Sequence, residues 1–378
     1  MIANRKFLFF LLAAGLGMST HAQKPTPRTW TFIVDGDSRN CGDIVMPAIA
    51  ADAKKTGAAF YWHLGDLRRI EGQDEDWLFE QKNAGRPTPT MDEYLSVAWD
   101  DFTAHQIAAF GDIPFFLGIG NHEVVKPKTE AAYLTQFHDQ LNIPQIKDQR
   151  MHDDPTDTQV HTWFHWVQGG VDFISMDNAV KSSFGPEQMK WFNALLTRDE
   201  QDKSIKSIVL GMHEALPWSK SADHSMCQSN SGIAEGDAVY HRMMEAQKLG
   251  KKIYILASHS HYYVANLFDT PHWRDKKNGV VLPGWIVGTA GAERYPLAEG
   301  VKPGPDARQH IYGYMTGTVA KNGTIKFSFV QFSEDDLQKV RTKDFTADDV
   351  HWCYVNNPTT LRPPPDRSCE DTAAAAKK

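Results

Sequence analysis

The sequence predicts an α/β protein. The first part of the chain is expected to form a largely parallel sheet, and later strands make the sheets mixed. In the first part of the chain, short apolar runs alternate with segments of helical periodicity, as in strand–helix–strand units. In the middle, two strand-like runs flank Gly169-Gly170, which predicts a hairpin. Near the end, Asn322-Gly323 marks a tight turn between two further strand-like runs.

Three strands and three helices are expected in the first part. The strands are predicted where apolar residues run without interruption, at residues 30–34, 59–64 and 114–119. The helices are predicted where apolar residues recur at helical spacing, at residues 43–55, 91–110 and 129–141. Residues 71–90 are polar and contain Gly85 and two prolines, so we predict a loop there.

The rest of the chain completes the sheets. The hairpin strands are predicted at residues 161–168 and 171–176. Later strands are predicted at residues 205–212, 252–257, 285–288, 312–319 and 325–331. Helices are predicted at residues 185–196 and 238–249.

The bulk composition fits one large globular domain. Among 378 residues, 23% are charged and 11% are aromatic, which leaves ample material for a core. The net charge of −7 argues against a nucleic-acid-binding surface, and we expect no role as a nucleic-acid scaffold. Without a repeat or linker in view, we place one domain at residues 23–345. A C-terminal tail follows at residues 346–378, with a disordered Pro-rich and then Ala/Lys-rich end.

The N-terminus predicts export. Arg5 and Lys6 precede an apolar run at residues 7–18, and small residues surround Ala22, which is the layout of a signal peptide. We expect residues 1–22 to be removed, leaving a periplasmic or secreted protein with no other stretch able to cross a bilayer. An uncleaved membrane anchor is the alternative.

Four cysteines in an exported chain predict disulfides. Cys353 and Cys369 are close in sequence and flank a Pro-rich loop, so we expect them to pair. Cys41 would then pair with Cys227. Four cysteines allow three connectivities, so this pairing is a hypothesis.

Five polar stretches carry groups that bind a divalent cation or move a proton, and at least four of them directly follow a predicted strand. They are Gly36-Asp37-Ser38-Arg39, Gly65-Asp66-Leu67-Arg68-Arg69, Gly120-Asn121-His122-Glu123, His213 and His259-Ser260-His261. Asp, Asn and His are ligands that hard and borderline divalent metals accept. A lone Gly-Asp is more often a turn, but the order and placement of all five predict a metal site at one sheet edge.

Within this set the residue types suggest different roles. Asp66 is suited to bridge two cations, because a carboxylate has two oxygens and a negative charge. His259 and His261 point the same way in an extended segment. His122 is left as a proton donor beside Asn121, which offers a neutral oxygen. We expect the glutamates that follow motif histidines, Glu123 and Glu214, to orient a ligand or His122, or else to be solvated loop residues.

Together these motifs resemble the calcineurin-like metallophosphoesterases, which include the purple acid phosphatases, over about residues 30–331. The hairpin ending at Asp177, the glycine loop at residues 288–291 and the strand beginning at Tyr312 are similar to segments of that family. The resemblance implies a four-layer sandwich in which two mixed β-sheets are flanked by helices.

The resemblance also implies residue roles around two divalent ions of Mn, Fe or Zn. The first ion would be held by Asp37, Asp66 and His261. The second would be held by Asp66, Asn121, His213 and His259. A bridging hydroxide would attack phosphorus in line, with His122 as the general acid. Catalysis would then depend on His122 and Asp66.

Three positions depart from the family pattern. Arg39 stands where the family often has a His on the first metal, and a guanidinium has no lone pair to donate. We expect Arg39 and Asn121 to bind substrate phosphate, and the first metal to be held less tightly, completed by water or helped by Asp35. Arg69 stands where purple acid phosphatases have a metal-bound Tyr, so no purple colour is expected. Ser258 replaces the glycine usual before the last His-x-His.

These observations predict an exported bimetal-dependent phosphoesterase that hydrolyses phosphomonoesters, with a small phosphorylated substrate as its partner. The alternatives are a phosphodiesterase or nucleotide pyrophosphatase using the same centre, and a non-catalytic metal-bound binding protein. Substrate choice would lie in the loops at residues 71–90 and 214–235.

Overall fold

The computed structural model describes residues 29–180, 182–221, 224–275, 279–357, 369–370 and residue 372. Two mixed sheets pack face to face, with helices on both outer faces. The predicted four-layer sandwich is therefore confirmed. The predicted signal peptide and most of the predicted disordered end lie outside the described residues.

The described residues contain twelve strands. They are β1 (Thr29–Asp35), β2 (Tyr61–His63), β3 (Phe115–Leu117), β4 (Phe164–Gln168), β5 (Val171–Ser175), β6 (Ser207–Met212), β7 (Lys252–Ala257), β8 (Tyr263–Ala265), β9 (Gly284–Val287), β10 (Ala307–Arg308), β11 (Gly313–Ala320) and β12 (Ile325–Gln331).

Eleven α-helices occur in the same residues. They are α1 (Gly42–Thr56), α2 (Glu75–Asn83), α3 (Met91–Phe102), α4 (Ala108–Phe110), α5 (Glu130–Gln136), α6 (Pro144–Asp153), α7 (Gly185–Gln201), α8 (Asn230–Lys248), α9 (Pro271–Arg274), α10 (Glu334–Lys339) and α11 (Ala347–Asn356). A wider helical turn, Thr103–Ile107, joins α3 to α4, so the helix predicted at residues 91–110 is continuous.

The two sheets place parallel strands at their centres. The first has the order β12-β11-β1-β2-β3, with β1, β2 and β3 parallel. The second has the order β10-β8-β9-β7-β6-β5-β4, with β5, β6, β7 and β9 parallel. Because the carboxyl ends of parallel strands share an edge, the residues that follow β1, β2, β3, β6 and β7 can meet.

Aromatic rings fill the space between the sheets. Phe32 and Phe60 of the first sheet each lie 5.1 Å from the Phe173 ring of the second. Trp62 crosses Trp166 at a ring distance of 5.2 Å, and it packs so close to β6 that a Cβ on Gly211 would lie 2.2 Å from it. Each buried Phe contributes roughly 1.5–3 kcal/mol relative to exposure.

Amphipathic helices cover the outer faces. In α1 the residues Val45, Ile49 and Ala53 recur at helical spacing and are buried in the core of the first sheet. In α8 the buried Val239 and Met243 join the core of the second sheet. This helix begins earlier than predicted, because the Ser229 hydroxyl caps the backbone N–H of Gly232 at 2.9 Å.

The prediction of a loop at residues 71–90 is wrong in part. Helix α2 forms there because Trp77 is buried in a small cluster with Ile70, Tyr94 and Ala98. The surrounding residues are polar and hide this spacing. The described residues also contain two helices late in the chain that were not predicted, α10 and α11.

The predicted disulfide pairing is also wrong. Cys41 pairs with Cys353, with Cα atoms 6.1 Å apart, and Cys227 pairs with Cys369, with Cα atoms 4.6 Å apart. Helix α11 buries Cys353 beside the start of α1, where Cys41 is its partner. Closeness in sequence therefore misled the prediction.

Over the described part of the chain, no helix combines the length and apolar character needed to cross a bilayer.

Candidate metal centre

The five polar stretches meet at the edge where the parallel strands end. Asp37 follows β1, Asp66 follows β2 and Asn121 follows β3, so three of the candidate ligands come from the first sheet. The second sheet contributes His213 directly after β6 and His259 after β7. The centre therefore lies across the top of both sheets.

Three of these residues adopt backbone conformations that are unusual for side chains other than glycine. The φ angles of Asp37, Asp66 and His259 are 59°, 61° and 66°. Such conformations cost on the order of 1 kcal/mol each and persist where the surroundings enforce them. Here the backbone N–H of Asp37 donates to the carbonyl of Gly65 at 2.9 Å, and that of Ser38 donates to the carbonyl of Asp66 at 2.9 Å. These bonds hold the turns after β1 and β2 side by side.

Asp37 lies against the histidine pair. Its Oδ1 lies 3.2 Å from Nε2 of His261, and its Oδ2 accepts the backbone N–H of His259 at 2.8 Å. The Nδ1 of His261 donates to the carbonyl of Glu293 at 2.6 Å, and its ring stacks on Tyr295 at 4.0 Å. These contacts fix the ring with Nε2 facing the centre. Burial lowers the pKa of His261.

Asp66 lies between the other groups. Its Oδ1 accepts the backbone N–H of His122 at 3.0 Å and lies 3.3 Å from Nε2 of His213. Its Oδ2 lies 3.8 Å from Nε of Arg39. Burial raises the pKa of Asp66, but the charges of His122 and His213 outweigh it and hold that pKa well below its usual value.

His213 presents one ring nitrogen to the centre. Its Nδ1 donates to the carbonyl of Leu64 at 3.0 Å and lies 3.1 Å from Oγ of Ser258. Its Nε2 lies 3.0 Å from Oδ1 of Asn121. Burial lowers the pKa of His213, but the charge of Asp66 raises it to about 10. Ser258, which stands where the family usually has glycine, supports this arrangement, because its hydroxyl donates to the same Leu64 carbonyl at 3.0 Å.

Several buried atoms in the centre accept no hydrogen bond. Among the described residues these include Oδ1 of Asp37, Oδ2 of Asp66 and Nδ1 of His259. Buried polar groups are normally bonded, and unpartnered lone pairs that converge on one place fit the binding of an added ligand there. Asp37, Asp66, His213 and His259 also offer ligand atoms within 4.8 Å of one another. These buried groups can hold a metal ion.

Glycines let the backbone approach these ligands. A Cβ on Gly120 would lie 2.2 Å from Oδ1 of Asp66. A Cβ on Gly288 would lie 2.6 Å from Oδ2 of Asp37. Any side chain at either position would push a carboxylate out of place.

Arg39 lies inside the centre and not at its rim. Its side chain is 6% exposed, and Nη2 lies 3.5 Å from Nε2 of His261. With Nε facing Asp66, the guanidinium contacts two of the three residues predicted to hold the first ion. The fit to a cation is therefore good around His213 and His259, and poorer around His261.

His122 is held from behind by a residue that the sequence reasoning missed. Its Nε2 lies 3.6 Å from Oδ2 of Asp66, and its Nδ1 lies 2.7 Å from Oε2 of Glu71. Burial raises the pKa of Glu71, but its bond with His122 and the charges of His122 and Arg39 lower it to about 2. Nothing in the local pattern of residues 71–90 distinguishes Glu71 from its acidic neighbours.

The other acidic candidates have different partners. Glu123 accepts backbone N–H groups from Asp66, Leu67 and Gly120 at 2.9, 3.0 and 2.8 Å, so it positions the turn that carries Asp66. Burial and the nearby Asp66 raise the pKa of Glu123 to about 8. The carboxylate of Glu214 accepts a hydrogen bond from Ser182.

Asp35 is not a member of the ligand cluster. It accepts backbone N–H groups from Gly36 at 2.8 Å and Thr289 at 2.9 Å. Asp37 is therefore the carboxylate of this turn that reaches the other ligands.

The chain matches no known family model, and no curated protein matches it. Its fold is similar to a purple acid phosphatase from yellow lupin (Lupinus luteus) seeds, at 16% identity and a TM-score of 0.48 over 82% of this chain and 55% of that one. It is also similar to PhoD, at 13% identity and a TM-score of 0.46 over 87% of this chain and 78% of that one. A dimetal phosphatase from Danio rerio gives 10% identity and a TM-score of 0.46 over 80% of this chain and 99% of that one.

This chain thus spans 55% of the length of the lupin structure. All three TM-scores lie below 0.5.

Proposed function

We propose that this chain is an exported, metal-dependent phosphoric ester hydrolase of the calcineurin-like metallophosphoesterase superfamily, acting on phosphomonoesters. One observation carries the proposal: buried ligands with bare atoms converge within 4.8 Å, and His122 stands beside them. Residues 23–345 are its proposed catalytic domain. Export is supported by the N-terminal pattern and by two disulfides.

The residues around Asp66 fit a divalent ion. Asn121, His213 and His259 would hold it together with Asp66, and Asp37 lies within reach. When bound, such an ion activates a water and neutralises charge on the phosphoryl oxygens. The donor types accept Mn, Fe or Zn, and the resemblance implies two ions.

The chain's own side chains perform the remaining steps. His122 donates a proton to the leaving-group oxygen through Nε2, which faces the centre. Glu71 bonds the other ring nitrogen and so orients the ring. Arg39 and Asn121 bind phosphoryl oxygens through N–H groups, and Arg39 stays charged throughout. A small phosphorylated molecule is the expected substrate.

Paired substrates test this proposal. The purified protein is reloaded with Mn, Zn or Fe and assayed with an aryl phosphomonoester and an aryl phosphodiester. We expect monoester hydrolysis that is lost in Asp66→Asn and kept in Asp112→Asn, a matched change at an exposed position.

Other outcomes would favour the alternatives. Hydrolysis of diesters alone would indicate a phosphodiesterase or nucleotide pyrophosphatase. Bound metal without turnover of either substrate would indicate a binding protein.

A further inference from the structure

We propose that the guanidinium of Arg39 takes the place of one cation of the pair, so that this chain binds a single divalent ion. Arg39 then supplies the second positive charge that faces the phosphoryl group. The inference rests on the proposed function and concerns the same site.

The position of the guanidinium is the first argument. It contacts Oδ2 of Asp66 through Nε at 3.8 Å and Nε2 of His261 through Nη2 at 3.5 Å. Both atoms belong to the predicted ligand set of the first ion. Because a guanidinium has no lone pair, it competes with an ion for these atoms and cannot help to bind one.

Acidic neighbours hold Arg39 in this place. Its Nη1 lies 3.5 Å from Oε2 of Glu293 and 3.9 Å from Oε1 of Glu71. A guanidinium is not deprotonated in proteins, so Arg39 carries a fixed positive charge. A fixed positive charge that near His261 disfavours a second cation there by Coulomb repulsion.

The remaining ligands form one complete set. Asp37, Asp66, His213 and His259 offer ligand atoms that lie within 4.8 Å of one another. His261 is outside that group. Asn121 adds a neutral oxygen 3.0 Å from Nε2 of His213. One ion therefore finds four or five donors without any atom that Arg39 contacts except those of Asp66.

Metal stoichiometry tests the inference without relying on turnover. The wild-type protein is stripped, reloaded with Mn²⁺ and desalted, and the metal per chain is counted by mass spectrometry. We expect one ion in the wild type. In Arg39→His an imidazole replaces the guanidinium, and we expect two ions with the magnetic coupling of a Mn pair by electron paramagnetic resonance.

The matched control is Arg86→His, an arginine whose side chain is 56% exposed and pairs with Glu80. We expect it to keep one uncoupled ion. Circular dichroism confirms that each variant is folded.

The other outcomes distinguish a failure of this inference from a failure of the proposed function. Two ions in the wild type would contradict the inference, as would a folded Arg39→His that keeps one ion. No bound ion in the wild type would overturn both the inference and the proposed function. One ion without phosphatase activity would leave the inference intact and defeat the proposed function alone.

Discussion

Two buried arginines in neighbouring turns have opposite surroundings. The Arg68 side chain is fully buried and pairs with four carboxylates. They are those of Asp43 at 2.8 Å, Asp74 at 3.4 Å, Asp76 at 3.3 Å, and Asp101. Arg39 is nearly as buried, but none of its contacts with charged groups is shorter than 3.5 Å among the described residues.

The carboxylates show the same contrast. In the cluster around Arg68, Asp74 accepts the hydroxyl of Tyr94 at 2.6 Å and the backbone N–H of Asn40 at 2.7 Å. In the metal centre, Asp37 and Asp66 each keep a bare oxygen on a backbone with positive φ.

The carboxylates around Arg68 keep no unpartnered buried oxygen and are structural. Unpartnered oxygens on a backbone with positive φ, as at Asp37 and Asp66, are available to an added cation. This contrast also decides a second group of possible ligands, formed by Asp43, Asp101 and His105. Arg68 already occupies that group, so we assign it no metal.

The largest effect is expected for Asp66→Asn, which removes a carboxylate that keeps an unpartnered oxygen. Loss of the central carboxylate should lower kcat/KM by about a thousand-fold or more and remove bound metal. The melting temperature of the metal-free protein should also fall, because the charges of His122 and His213 stabilise the ionised Asp66 in the folded state.

Asp43→Asn in the Arg68 cluster is the matched variant. Burial raises the pKa of Asp43, but the charges of Arg68 and His105 lower it to about 2, so we expect this variant to lose stability and keep metal. Loss of metal from Asp43→Asn would break the comparison.

The two arginines themselves should differ in stability. Arg68→Met leaves four carboxylates without their cation and should cost about 3–5 kcal/mol of unfolding free energy. Arg39→Met should cost far less in the metal-free protein, because its contacts are longer and fewer. Urea denaturation of both variants measures the difference, and equal losses would contradict it.

A smaller effect is expected for Glu71→Gln, which weakens the bond that orients His122. We expect a roughly ten-fold loss of kcat for alkyl phosphates, whose leaving groups need a proton. Nitrophenyl phosphate, with a good leaving group, should be affected much less. Glu75→Gln, in the same segment, is the control, and an equal loss on both substrates would indicate a merely structural role.

The smallest effect expected is the dependence of stability on pH that His105 contributes in the cluster around Arg68. Interactions with Asp101 at 3.0 Å and Asp43 at 3.5 Å raise the pKa of His105 to about 11, and they outweigh burial, which lowers it. Arg68 contacts the same two carboxylates. The folded-state pKa lies above the unfolded value of about 6.5. The stabilisation is therefore complete below about pH 6.5 and is lost as pH rises towards 11.

After solvent screening we expect this effect to be about 1 kcal/mol or less. Melting temperatures at pH 7 and pH 10 measure it, with His105→Gln as the variant that should lose the slope. An unchanged slope in that variant would assign the pH dependence elsewhere.

The sequence was enough to predict that the candidate ligands meet at one sheet edge, because their placement depends on local periodicity. Apolar runs ending in Asp37, Asp66 or His213 predict parallel strands, and parallel strands end at one edge. No knowledge of distant packing is needed for that step.

Sequence reasoning could not find the contacts that join distant segments. Glu71 reaches His122, and Glu293 reaches Arg39, across turns whose conformations depend on tertiary packing. The predicted disulfide pairing was wrong for the same reason, since Cys353 is placed by the docking of α11 and not by its neighbours in sequence.

The Cys41–Cys353 disulfide gives the protein a property that a fold description does not express. It links residues 312 positions apart, so a protease that cuts the exposed segment at residues 82–88 cannot release either fragment. The N-terminal fragment would carry Asp37 and Asp66, and the C-terminal fragment would carry the histidine ligands. Nicked protein would thus survive as a two-chain molecule with its metal centre shared between the chains, and would separate into two bands only under reducing electrophoresis.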